Sequence, residues 1–315
     1  MISRRTFLCS MALGALPASS WAKASRMRIV VPYPAGGPLD ACARLLAQAL
    51  QSKRGRVIVE NRPGAAGARA MLEVKNASAD GLTLVMGALA TLVVNPLLSN
   101  DLPYRPEDFK AVTLLSDTPN VLVMTPSTME KLRVSDARQL IEYIKAHPDK
   151  LNCASGGTGS AGHIVNAVFN TQGLKTVHVP YAGAMAAQLS LFSGETDLMF
   201  DNYANAQAAV AEKRLVVLAQ TRALADAAID APTLQSLGVD CDISTWFGLL
   251  VPKDTPAVTC EKLFEEIKTV LYEKTLREKF DRLSGGTQLL GPVAFEKWIA
   301  DEQVKYRSFV NALQI

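Results

Sequence analysis

The sequence predicts an α/β protein of two lobes, one lobe inserted in the other, with a ligand cleft between them. Three observations carry this expectation. Apolar runs rich in β-branched residues alternate with helical patterns along the chain, the signature of α/β architecture. The connections are short, which implies mostly parallel sheets whose ligands sit beyond the C-terminal ends of the strands. The stretch from about 126 to 214 holds a strand–helix series of its own, bracketed by "VLVMTPS" and "RLVVLAQT", after which the chain returns to loops and amphipathic helices. This order gives lobe 1 at 25–125 and 220–315 and lobe 2 at 126–219, joined by two crossing strands. A chain of 315 residues is long enough for two such cores.

Residues 1–24 come first and stand apart from the fold. "SRRTFL" (3–8) joins Arg4 and Arg5 to a short apolar run, and Ala22-Lys23-Ala24 forms a small-x-small cleavage pattern. Together they read as an export signal of the twin-arginine type cleaved near Ala24, with a generic basic n-region as the alternative. Pro17, Ser19 and Ser20 break the uncharged segment, which falls short of the ~20 apolar residues that a membrane span needs. Cys9 precedes the end of the apolar run, the wrong place for a lipidated cysteine.

Strand patterns follow at 27–33, 56–61, 82–87, 121–125, 151–155, 176–181, 196–201, 214–220 and 247–252. Helical patterns occupy 38–52, 66–75, 135–147, 161–172, 184–193, 203–212, 257–273 and 293–312. With 49% hydrophobic and 20% charged residues the chain reads as soluble and globular. The whole sequence has 33 basic against 30 acidic residues, and removing Arg4, Arg5 and Lys23 with the leader leaves 30 against 30. A nucleic-acid binder keeps a basic stripe, and none is present. Cys42, Cys153, Cys241 and Cys260 show neither a C-x-x-C spacing nor a nearby histidine at metal spacing, so no metal site and no cofactor is expected. They read as small buried hydrophobes, with three pairings open if they do pair.

Two glycine clusters carry the chemistry. "VVPYPAGGPLD" (30–40) and "CASGGTGSAGH" (153–163) each follow a strand pattern and open a helical one. The first N–H groups of a helix lack partners and its dipole is positive there, so each cluster can hold an anion. The plain alternative is that Gly36 and Gly37 only reverse the chain. Gly157, Gly159 and Gly162 satisfy G-x-G-x-x-G, but no acid follows at the ribose spacing, and His163 and Ile164 stand where a Walker loop needs Lys and Ser/Thr. The second cluster adds the hydroxyls of Ser155, Thr158 and Ser160. Two such clusters facing one cleft would hold a ligand with carboxylates at both ends.

Other candidates have two readings each. Asp201 ends a strand where the cleft would open, or caps the next helix; Asp40 caps the first helix or orders the glycine loop. Tyr33 and Tyr181 end strands and would wall the cleft. Trp246 and Phe247 fill core or hinge space. His147, His163 and His178 have no nucleophile partner, and G-x-S-x-G is absent. His163 could touch ligand or pack beside the glycine loop. The rival function is a hydrolase or transferase with His163 or Asp201 as general base; a third is a receptor that signals to a sensor.

Several segments together resemble the Bug family, the extracytoplasmic solute receptors of tripartite tricarboxylate transporters. They are "VPYPAGGPLDACARLLAQAL", "VIVENRPGAAGA" (57–68), "ADGLTLVMG" (79–87), "SGGTGSAGH" (155–163), "VHVPYAGAMAAQLSLFSGETDLMFDN" (177–202) and "STWFGLLVPKDTP" (244–256), in family order across the mature chain. The resemblance implies a type II periplasmic-binding-protein fold that closes on a small carboxylate, no catalysis, membrane permease subunits as partners, and a monomer. It implies ligand contacts at Tyr33, Ala35, Gly36, Gly37, Ser155, Thr158, Gly159 and Ser160. It also implies that Asp201 sets selectivity at the distal end, where an acid favours a ligand amine or hydroxyl over a second carboxylate. Thr91 is a further pocket candidate. Leu39 departs from the family, which often has Thr there, and so removes a hydroxyl from the first helix start.

Overall fold

In the computed structural model, residues 27–312 are described; the expected export segment lies outside them. Lobe 1 opens with β1 (Met27–Val31), α1 (Pro38–Arg54), β2 (Val57–Asn61), α2 (Ala68–Lys75) and β3 (Thr83–Ala88). A π-helical turn at Ala90–Val94 leads into α3 (Asn95–Leu98) and then into β4 (Phe109–Met124). The second lobe follows as α4 (Pro126–Leu132), α5 (Ala137–Ala146), β5 (Asn152–Ser155), α6 (Ala161–Thr171), β6 (Val177–Pro180), α7 (Ala184–Ser193), β7 (Leu198–Asn202), α8 (Tyr203–Ala211) and β8 (Val216–Gln220). The chain returns through β9 (Ser244–Pro252) and closes with α9 (Ala257–Leu271), α10 (Lys274–Ser284) and α11 (Pro292–Ala312).

The expected strand at 121–125 is only the end of β4, a strand of 16 residues. Its first part, Phe109 to Pro119, pairs antiparallel with β9, and its last part, Asn120 to Met124, pairs antiparallel with β7 and β8. One strand therefore belongs to both sheets, in the order β2-β1-β3-β9-β4-β7-β5-β6, with β8 also on β4. The outer pairs β1/β2, β1/β3, β5/β6 and β5/β7 are parallel, as expected. The pairs made by β4 and β9 are antiparallel, because each crosses between lobes in the opposite sense. Register shifts at Ala111/Thr113 and Leu114/Ser116 bend and twist the crossing ribbon, as β-bulges do.

Burial on both faces explains the apolar strands. α1, α9 and α10 cover one face of the first sheet through Leu46, Leu263, Ile267 and Phe280, while α2 and α11 pack on its other side through Met71 and Phe295, and α6 packs on the second sheet with Phe169 against Phe200 of β7. α7 and α8 cover the second sheet with Ala187, Leu191, Ala206 and Ala209. Trp246 is fully buried against the Phe295 ring at 5.9 Å, and its indole N–H donates to Glu302 at 2.8 Å. The four cysteines in the described residues are buried and free. No helix among the described residues is long and apolar enough to cross a membrane.

The lobes meet around the crossing strands. The Gln207 amide of α8 donates to the Arg282 carbonyl of α10 at 2.5 Å. A Cβ on Gly159 would stand 3.0 Å from Asn95 Oδ1, so the second glycine cluster lies close against α3 of the other lobe.

Candidate functional site

Between the lobes lies a cavity of about 630 Å³. Both glycine clusters line it, and a third helix start joins them. At the first cluster, Asp40 is the organising residue. Its Oδ2 accepts the Gly36 N–H at 2.9 Å and Arg44 Nε at 3.0 Å, and its Oδ1 accepts Asn61 Nδ2 at 2.9 Å. Burial pushes the Asp40 carboxyl up, but these bonds from Arg44, Gly36 and Asn61 outweigh it and hold the group below its ordinary range. Asp40 therefore orders the glycine loop. No side chain caps α1, so the N–H groups of Leu39 and Asp40 stand at the cleft end of the helix without a partner among the described residues. Gly36 has φ of +91°, a conformation that suits glycine.

The second cluster is held by two histidines. Gly159 N–H donates to His163 Nδ1 at 3.1 Å, and Ser155 Oγ lies 2.6 Å from His178 Nε2 while accepting Gly157 N–H at 3.2 Å. The two imidazoles stack with centroids 4.1 Å apart and planes 19° from parallel. Burial lowers the pKa of His163, and burial together with the neighbouring His163 lowers that of His178 to about 4. Both rings are neutral at pH 7, which the acceptor role of His163 Nδ1 requires. Ser160 caps α6 by accepting the His163 N–H at 3.3 Å, leaving its own hydrogen and those of the Ala161 and Gly162 amides for a ligand. Gly162 is fixed by packing: a Cβ there would meet the Phe200 carbonyl oxygen at 2.3 Å.

The third start is α7. Gly183, with φ of +106°, ends the loop after β6, and no side chain caps the helix. Gly183, Ala184 and Met185 line the cavity. The sequence carries the same strand–glycine–helix signal here as in the other two clusters, and only its lack of a second glycine or hydroxyl hides it.

Asp201 closes one wall. It is 2% exposed; its Oδ2 accepts Gln188 Nε2 at 2.6 Å and its Oδ1 accepts Asn205 Nδ2 at 3.2 Å. Burial pushes its carboxyl up to about 6 against those hydrogen bonds. The α8 cap is Asn202, whose Oδ1 accepts the Ala204 N–H at 2.8 Å, so Asp201 is a wall residue rather than the cap. Among the described residues, no Lys or Arg lines the cavity.

Of the residues singled out in the sequence, Tyr33, Ala35, Gly36, Gly37, Asp40, Thr158, Ser160 and Asp201 line this cavity, with Phe247 and Leu39. Ser155, Gly159, His163, Tyr181 and Thr91 do not. Ser155 and His163 stand behind the second loop. Tyr181 packs into the α7–α8 core with its hydroxyl buried and without a partner among the described residues. Thr91 is fully buried, its hydroxyl exchanging 3.1 Å bonds with the Ala88 backbone. Asn120 and Thr245, from the two crossing strands, form part of the cavity floor and carried no signal in the sequence.

The chemistry offered is anion capture by neutral donors: hydroxyls and uncapped helix starts, each charge-assisted bond worth ~1.5–3 kcal/mol. Comparison with known proteins agrees. Residues 42–314 match the tripartite tricarboxylate transporter family receptor. The protein BugT of Bordetella pertussis is 29% identical over 97% of this chain and 94% of its own. MatC from Rhodopseudomonas palustris, solved with bound malate, superposes with a TM-score of 0.79 at 28% identity, covering 90% of this chain and 99% of that one. R. palustris Rpa4515 with adipate gives 0.83 at 26% identity over 93% and 98%. With its two lobes, its glycine-lined cleft and this match across nearly the whole described fold, the chain belongs to the tripartite tricarboxylate transporter receptor family, the Bug-type solute-binding proteins.

Proposed function

We propose that this protein is a periplasmic receptor that captures a small organic carboxylate in the interlobe cleft and delivers it to the membrane subunits of a tripartite tricarboxylate-type transporter. The observation that carries the reading is the set of three helix starts, α1, α6 and α7, around one cavity that no Lys or Arg among the described residues lines. Such a site suits an anion bound by oriented dipoles. The relatives solved with malate and with adipate support the same ligand class. Thr158, Ser160 and the first-turn amides are the anchoring donors, with the Asp201 wall facing the rest of the ligand. The lobes close on the ligand, provided the closed form binds it better than the open one does. Residues 1–24 direct export, and the mature receptor acts as a monomer without catalysis.

The test is a thermal-shift screen of residues 25–315, unfolded and refolded to strip any carried ligand, against mono-, di- and tricarboxylates, amino acids and aromatic acids, with calorimetry on hits. A ligand at 100 times its dissociation constant stabilises the native state by about 2.7 kcal/mol. A carboxylate hit recovered chemically unchanged is the expected result. Turnover of the ligand, or binding confined to uncharged compounds, overturns the reading.

A further inference from the structure

The two walls of the cleft differ in what they offer a ligand. Donors gather on lobe 2. Thr158 and Ser160 line the cavity beside the start of α6, and the start of α7 is pressed against the same loop, since a Cβ on Gly156 would stand 3.3 Å from the Ala184 nitrogen. Two helix starts and two hydroxyls converge there, enough to hold one carboxylate.

Lobe 1 presents an apolar wall. Pro34, Pro38 and Pro63 line it and have no N–H to give; Pro38 takes the first position of α1 and so removes one of the amides of that helix start. Leu39, Leu89 and Phe247 line the cavity on the same lobe, and Leu39 packs onto the core that holds Phe247. Much of the polar capacity beside them is spent within the chain. The Gly36 N–H goes to Asp40 at 2.9 Å, Asn95 Nδ2 donates to the Ala66 carbonyl at 2.8 Å, and Ser284 Oγ donates to the Gly286 carbonyl at 3.1 Å. Asp40, in the first turn of α1 and paired with Arg44 at 3.0 Å, already supplies the negative charge that this helix start attracts. A carboxylate set against this wall loses water without gaining a matching set of donors, whereas a methyl, a methylene or a ring gains from the same contact.

We propose that the cleft selects a carboxylate with one charged end and an apolar body, the charge held between the α6 and α7 starts and the body laid on lobe 1, with Leu39 as the specificity-determining side chain. This rests on the carboxylate reading above and narrows it. The test is calorimetry on refolded, ligand-free protein with acids paired by size: butyrate and succinate, pentanoate and glutarate, hexanoate and adipate, p-toluate and terephthalate, with citrate beside them. In at least one pair the wild type binds the monocarboxylate roughly tenfold more tightly than its dicarboxylate, and within the aliphatic monocarboxylates that bind, affinity rises roughly fourfold per methylene. The readout in each variant is the ratio within a pair, which a merely structural loss leaves unchanged. Leu39→Thr brings that ratio toward one, and Leu39→Gln serves if Leu39→Thr fails to fold. The proposal falls if every dicarboxylate binds as tightly as its partner or more so, if only di- or tricarboxylates bind, or if the ratio survives in the folded Leu39 variant. A preference for dicarboxylates leaves the carboxylate reading standing, whereas no binding by any acid removes both.

Discussion

Asp201→Asn isolates the cost of a buried charge in the cleft wall. A rise of the carboxyl from 3.8 to about 6 corresponds to about 3 kcal/mol, at ~1.4 kcal/mol per tenfold change in proton affinity. The native state holds its proton up to about pH 6, while the unfolded chain releases it near 3.8. Above pH 6 the ionised group therefore opposes folding, and the penalty fades as pH falls. Between pH 7.5 and 4.5 the wild type recovers about 2 kcal/mol of it. The amide variant carries no charge at either pH but has one acceptor oxygen where Gln188 and Asn205 both donate, a loss of about 1–3 kcal/mol that does not depend on pH. Urea unfolding of both ligand-free proteins at a series of pH values separates the two effects. The stability of the variant minus that of the wild type should be about 2 kcal/mol more favourable at pH 7.5 than at 4.5. Other titrating groups cancel in the difference. A difference that stays flat across this range would refute the claim that Asp201 is desolvated without a cation.

Three further outcomes follow from the geometry. Thr158→Ala combined with Ser160→Ala removes two hydroxyl donors and the α6 cap, so calorimetry should show carboxylate affinity down by at least about tenfold, with about 1 kcal/mol of stability lost from the cap. Gly162→Ala drives a Cβ to 2.3 Å from a backbone oxygen and should unfold or severely destabilise the protein, whereas at Gly37 the nearest atom is 4.0 Å away and Gly37→Ala should keep its melting temperature. Equal melting temperatures for the two alanine variants would show that the α6 start is not pressed on β7. Burial and the neighbouring His163 push His178 from 6.5 to about 4, so the unfolded chain takes a proton that the native state refuses, and stability should fall as pH drops from about 6.5 to 4. His178→Gln should flatten that fall in a pH series of urea midpoints, and an unchanged slope would place the acid sensitivity elsewhere.

The sequence by itself determined the local chemistry. A strand, a glycine pair or cluster and a helix start adjoin one another in "VVPYPAGG" and "CASGGTGS", so the donors of both loops were legible from neighbours a few residues apart. The alternation of elements likewise marked an α/β fold, because periodicity is a local property of the chain. Tertiary structure decided what depends on residues far apart. β4 reads as a short strand at 121–125 because its first half owes its order to β9, more than a hundred residues away in "STWFGLLVP". Ser155 and His163 carry hydroxyl and imidazole groups beside the glycine loop, yet the stacking of His163 on His178 from β6 turns both toward holding the loop. Thr91 looks like a pocket hydroxyl, but the turn after β3 consumes it. Asn120 had no signal at all, since the partners that hold it at the cleft, Thr221 at β8's exit and Thr245 on β9, lie more than a hundred residues away in the chain. Which polar atoms remain for a ligand is a remainder left after long-range pairing, and only the folded chain performs that subtraction.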